Sequence, residues 1–203
     1  MEYRIRSVFA ECEVEGAPVN TVPIKSGHIN ETYLIRTDSG GSYILQRINH
    51  TVFQDPGAVI ENKIRVAEHI ANKRGHLPEE ELRRRALRFH PAKAGGFLHR
   101  DADGNYWNLL DYIENSSVYL RNPNAKVARE AGKALGGFLR DTEDLDPASL
   151  NITIPRFHSM SLRYAQFDEA LDAATSQRKQ LAAELIQTAQ DLRAEMRSLE
   201  ERV

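Results

Sequence analysis

Apolar and polar positions follow a strand-like period in the first half of the chain and a helical one in the second. Thr32 to Thr37 and Ser42 to Asn49 carry the aromatic and β-branched residues of strands, and Asp38-Ser39-Gly40-Gly41 between them has the chemistry of a hairpin turn. Asp55 before Pro56 reads as a helix start. Ile60, Ile64, Ala67 and Ala71 then recur at helical spacing and predict a helix from about Pro56 to Asn72. Gly95 to Leu98 and Tyr106 to Ile113 suggest a second hairpin around Asp101-Ala102-Asp103-Gly104-Asn105. Strand content ends there.

After Asn115-Ser116-Ser117, the run Asn122-Pro123-Asn124 opens a helix with Val127, Ala128, Ala131, Leu135 and Phe138 along one side, ending near Asp141. A turn-rich connection covers Thr142 to Pro155, and a helical segment follows near Ser161 to Ala174. Ser176 to Arg202 reads as one long last helix, because Leu185, Ala189, Leu192, Met196 and Leu199 alternate spacings of four and three. The class is α+β, with a sheet-rich part over residues 1–114 and a helical part over 117–203.

Composition adds mostly exclusions. A chain of 203 residues with 41% hydrophobic content fills a real core, and a net charge of -2 provides no field for nucleic acid or an anionic membrane. No window is apolar enough to span a bilayer, and the charged start Met1-Glu2-Tyr3-Arg4-Ile5-Arg6 is unlike a signal peptide. The one cysteine, Cys12, excludes an internal disulfide framework and is expected as a small filler near the first strand, in a cytoplasmic protein. Arg83-Arg84-Arg85 and Arg88 face Glu79-Glu80-Glu81 in sequence, which predicts a solvated helix. The seven histidines form no metal-ligand pair.

The candidate chemistry begins at Ser26-Gly27-His28-Ile29-Asn30. Gly27 leads a loop into a strand, where backbone amides can approach a phosphate and Asn30 and Thr32 add neutral polar groups. No Walker loop and no Gly-x-Gly-x-x-Gly helix start occurs. In kinase-type folds a basic side chain on the third strand meets the phosphates and pairs with a helix carboxylate. Here that strand reads Ile44-Leu45-Gln46-Arg47. Position favours Gln46, charge favours Arg47, and alternation lets only one face the nucleotide. Glu61 has the better distance for the pairing carboxylate, with Glu68 two turns on. Leu110, Asp111, Tyr112 and Ile113, up to Asn115, lie where strands give way to helices, the place of a hinge that holds an adenine edge. His99-Arg100-Asp101 imitates a kinase catalytic loop. However, Asn105 comes one residue too early for that motif, and the segment is a hairpin turn by its own chemistry.

Taken together, Gly27-His28-Ile29-Asn30-x-Thr32-Tyr33, Tyr43-Ile44-Leu45-Gln46-Arg47-Ile48-Asn49, Phe53-x-x-Pro56, Tyr112-Ile113-Glu114-Asn115-Ser116 and Ile154-Pro155-x-Phe157-His158 resemble the aminoglycoside phosphotransferase and choline kinase superfamily, most closely its N-acetylhexosamine 1-kinase-like branch. The resemblance implies a protein-kinase-like bilobal fold with a hinge near residues 110–116. It also implies transfer of the γ-phosphoryl of ATP, with Mg²⁺, to a sugar hydroxyl. By that similarity Gly27, His28, Asn30 and Thr32 form the phosphate loop, Gln46 or Arg47 touches phosphate, Glu61 braces the strand, and residues 110 to 115 hold adenine.

The same resemblance implies a His-x-Asp-x-x-x-x-Asn catalytic loop and a metal-binding Asp after the last helix. Neither motif follows the hinge in this sequence. The expectation is a chain that ends before its catalytic loop, with metal ligands beyond Val203 and little activity alone, since general-base help is worth about 10²–10⁴-fold. Self-association through Leu185, Leu192, Met196 and Leu199 is then expected. A non-catalytic nucleotide-binding or scaffolding module is the alternative, and a choline, homoserine or aminoglycoside kinase the second.

Overall fold

The structure, a computed structural model, describes residues 2–200, with side chains over 3–198. The chain forms two compact units divided after Thr153. The hinge expected near 110–116 lies inside the first.

The first unit is built on an antiparallel sheet. Its strands are β1 (Pro18–Ile24), β2 (Glu31–Thr37), β3 (Ser42–Ile48), β4 (Phe89–His90), β5 (His99–Arg100) and β6 (Tyr106–Asp111). They run in the order β1-β2-β3-β6-β4, with β5 also on β6. The β2–β3 hairpin follows the expected boundaries, and Gly40 takes the left-handed conformation its turn requires (φ 85). The second hairpin is shifted. Gly95 and Gly96 both have positive φ and form a turn, so the strand facing β6 is His99–Arg100 instead of Gly95 to Leu98.

Helices cover both faces of this sheet. Side chains alternate along a strand, so odd-numbered residues of β2, β3 and β6 point one way and even-numbered ones the other. Helix α1 (Glu2–Ala10) covers the odd face, where Ile5, Val8 and Phe9 pack on Ile35, Leu45, Trp107 and Leu109. The charged start of the chain, taken above only as unlike a signal peptide, is therefore an amphipathic helix. Cys12 continues its stripe at 5% exposure, and burial pushes the thiol up to about 11. Helix α2 (Pro56–Lys73) covers the even face through Val59 and Ile60 on Ile48. Its start is as expected, with Asp55 accepting from the Ala58 amide at 3.0 Å and Pro56 in the first turn.

Helix α3 (Glu79–Arg85) pairs Arg83, Arg84 and Arg85 with Glu79, Glu80 and Glu81 one turn back, which is the solvated helix expected of that run. Helix α4 (Ala125–Thr142) is capped by Asn124, which accepts from the Val127 amide. The C-terminal ends of α2 and α4 are joined by ion pairs, Arg74 with the buried Asp141 and Lys73 with Asp144.

The second unit holds α5 (Met160–Ala173), α6 (Ser176–Leu181), α7 (Ala183–Asp191) and α8 (Arg193–Glu200). The single long helix expected from Ser176 is thus three helices, broken at Ala182 and Leu192. At the second break the cause is a contact with α5. The buried Tyr164 donates its hydroxyl to the Ala189 carbonyl at 2.9 Å, taking the acceptor that helix continuity would assign to the Arg193 amide. The Arg193 guanidinium stacks on the Tyr164 ring at 4.7 Å and pairs with Asp168. Leu185 and Met196 of the expected stripe therefore sit on different helices, and the Leu199 side chain lies outside the described residues. Among the described residues no helix is long and apolar enough to cross a membrane.

Candidate functional site

The loop between β1 and β2 is tied to the end of β3 by one bond, the Asn49 amide donating to Asn30 Oδ1 at 3.0 Å. That bond joins two of the motifs the sequence singled out. Asn49 in turn accepts from the Thr51 amide and hydroxyl, which fixes the turn leading into α2. Gly27 has no positive φ, and a Cβ there would meet only the Asn30 carbonyl at 3.9 Å. Glycine is thus not demanded by the backbone at that position. His28 is exposed on the same loop.

Facing separates Gln46 from Arg47. Arg47 points to the α1 side, pairs with Glu31 and donates to Asn105 Oδ1 at 3.0 Å. The bond from Arg47 holds the Glu31 carboxyl below its ordinary range. Gln46 points to the α2 side, where its Nε2 donates to Thr32 Oγ1 at 3.2 Å and its Oε1 accepts from Lys63 Nζ at 2.8 Å. Glu61, the carboxylate expected to brace this strand, instead accepts from the Asn151 side-chain amide at 2.9 Å and is exposed. Helix α2 therefore presents a lysine to β3, not a glutamate. Nothing in the sequence pattern had singled out Lys63.

Register arranges this face in two rows. Thr32, Gln46 and Asn108 are direct neighbours across β2, β3 and β6, and Leu34, Ile44 and Leu110 form the next row. The first row is polar and the second apolar. Asn108 is 2% exposed, and both its amide nitrogen and oxygen lack a hydrogen-bond partner. An unpaired buried amide costs about 1–3 kcal/mol.

The apolar row leads into Asp111, Tyr112 and Ile113. The Asp111 amide donates to the Arg88 carbonyl and the Tyr112 amide to the Ser42 carbonyl, while the Ile113 amide has no backbone partner among the described residues. Asp111 accepts from His90 Nε2 at 2.6 Å. Burial raises its carboxyl, but the bond and charge of His90 together with the charges of Arg88 and Arg83 outweigh this and leave it below the ordinary range. The segment ends at Asn115, whose φ of 56 is one that asparagine tolerates better than most residues. A cavity of 400 Å³ opens between this segment, Ser42 and Arg83. A second cavity, of 620 Å³, is lined by Gly27, Asn30, Thr32, Lys25 and Ile5. The loop residues and the hinge residues thus border separate hollows.

His99-Arg100-Asp101 is a structural turn. Asp101 accepts from the Asp103 and Asn105 amides, from Trp107 Nε1 at 2.8 Å and from Arg4 at 2.7 Å. Burial raises this carboxyl, yet the donors from Trp107, Asn105 and Arg4 outweigh it and hold the group far below the usual carboxylate range. A carboxylate so satisfied is no general base.

Among the described residues no three His, Cys, Asp or Glu side chains cluster as a metal site. A family model for the phosphotransferase enzyme family matches residues 20–203, from β1 onward through both units. The antiparallel sheet, the helix packed on it and the helices that follow make the α+β, kinase-like arrangement that the match implies. On the extent of that match, the chain belongs to the phosphotransferase enzyme family, whose chemistry is kinase-type phosphoryl transfer.

Proposed function

We propose that this chain binds ATP on the α2 side of its sheet, as the nucleotide lobe of an enzyme that phosphorylates a sugar hydroxyl such as the anomeric position of an N-acetylhexosamine. The observation that carries the nucleotide reading is the pair of rows. The apolar Leu34-Ile44-Leu110 row suits a planar base and adjoins the Asp111 to Ile113 backbone. The polar Thr32-Gln46-Asn108 row, two residues further from the hinge on each strand, suits phosphate oxygens. Mg²⁺ enters as the nucleotide's own counterion, since the described residues offer it no cluster of carboxylates. The sugar preference rests on the resemblance carried by the five segments quoted above, of which Tyr43 to Asn49 is the most specific.

Calorimetric titration with Mg-ATP tests the nucleotide reading, with GTP as comparison. Saturable binding is expected, weakened about tenfold or more by Gln46→Ala and left within about threefold by Arg47→Ala, because only Gln46 faces the α2 side. Equal losses in the two variants, or no binding by a folded chain, would contradict it.

A further inference from the structure

We infer that Lys63, presented by α2, supplies the positive charge for the nucleotide phosphates that strand β3 lacks on this face, with Gln46 as its positioning residue. This rests on the nucleotide reading above and goes beyond it, because the charge comes from the helix and the neutral partner from the strand.

Three observations support it independently of one another. Lys63 Nζ donates to Gln46 Oε1 at 2.8 Å, and no carboxylate among the described residues pairs with it. Several other cations of the first unit do have one. Arg47 is held by Glu31, Lys73 by Asp144, and Arg74 by Asp141. Next, Gln46 is itself fixed from the other side through Thr32 Oγ1, so its oxygen aims the ammonium with little freedom. Finally, Asn108 stands in register with Gln46 on the same face, with a buried amide that has neither donor nor acceptor satisfied. A cation without a counterion, on a face where polar side chains stand in one row, is what an arriving phosphate satisfies.

Burial lowers the Lys63 pKa, because a low-dielectric surrounding disfavours the ammonium. An anion placed against it reverses that penalty. Gln46 carries no charge and so does not compete for the lysine, whereas a strand carboxylate at that position would neutralise it before any ligand arrived. The arrangement keeps the cation available.

The test measures affinity for two probes, Mg-ATP and adenosine, on the full chain and on Lys63→Met, Lys63→Arg and Gln46→Glu. One charge-assisted contact corresponds to about 10- to 100-fold in affinity. Lys63→Met is expected to lose that much for Mg-ATP while its adenosine affinity stays within about twofold, and Lys63→Arg to recover part of the loss. Gln46→Glu is expected to keep or raise the thermal midpoint by forming an ion pair with Lys63, yet to lose Mg-ATP affinity and keep adenosine. Unchanged Mg-ATP binding in Lys63→Met, or equal loss of both probes, overturns the role of Lys63 and leaves the nucleotide reading intact. Failure of the unsubstituted chain to bind either probe overturns that reading and the inference with it.

Discussion

Asp101→Ala is expected to destabilise the first unit by about 2–4 kcal/mol, because it removes a nearly buried carboxylate, unpairs the partly exposed Arg4 and strands several donors. The carboxylate is only 8% exposed and accepts from Arg4, the Asn105 amide and side chain, and the Trp107 indole. Those bonds join α1 to β6 through the turn between β5 and β6. The pH dependence has a definite sign. The folded carboxyl is depressed, so its contribution is fully present above the unfolded value of about 4 and fades as pH falls below it, when the unfolded chain takes up the proton first. Urea denaturation at pH 7 and at pH 3 is the measurement. The gap between the unsubstituted chain and Asp101→Ala should be wide at the first and narrower at the second. A gap under about 1 kcal/mol at pH 7 would show the turn to be held by other means.

Ile44→Trp is expected to lower Mg-ATP affinity by about 100-fold, equivalent to about 2.7 kcal/mol, while the fold persists. Ile44 lies in the middle of the apolar row, flanked in register by Leu34 and Leu110, and all three are half-buried. An indole has room to lie across the row without entering the core, because Leu45 and Ile35, which do fill the core, point to the α1 side. It would then occupy the place proposed for the base. Ile44→Val, which removes one methylene, should change affinity by less than about threefold. Unchanged binding in Ile44→Trp would mean that the base lies elsewhere.

Much of the frame was legible because local chemistry agreed with the fold. The β2–β3 hairpin announced itself through Gly40 and Gly41, and α2 through Asp55-Pro56 and its helical spacing. Helix α1 was legible in principle. Ile5, Val8, Phe9 and Cys12 recur at helical spacing, but the alternation of Tyr3, Ile5 and charged residues masked them. Strand β1 has Pro18 and Pro23 and an irregular burial pattern, which blurs the period of two. The break at Leu192 depends on Tyr164, 28 residues earlier in the chain, and no local pattern reports it.

The site was half legible for the same reason. Thr32 and Gln46 follow from strand alternation once the hairpin is placed, whereas Lys63 becomes visible only when α2 docks over β3. Asn108 was passed over inside an apolar strand, since its significance lies in the partners it lacks. Glu61 had a suitable sequence distance, but the helix turns it toward Asn151.

Methyl-labelled nuclear magnetic resonance of the chain titrated with Mg-ATP distinguishes a nucleotide on the α2 face from one on the α1 face, because leucine and isoleucine methyls report on the two faces of the sheet separately. Shifts are expected to concentrate at Leu34, Ile44 and Leu110, with Ile5, Ile35 and Leu45 on the α1 side nearly unmoved. Shifts confined to the α1 side, or none at saturating nucleotide, would contradict a nucleotide site on the α2 face.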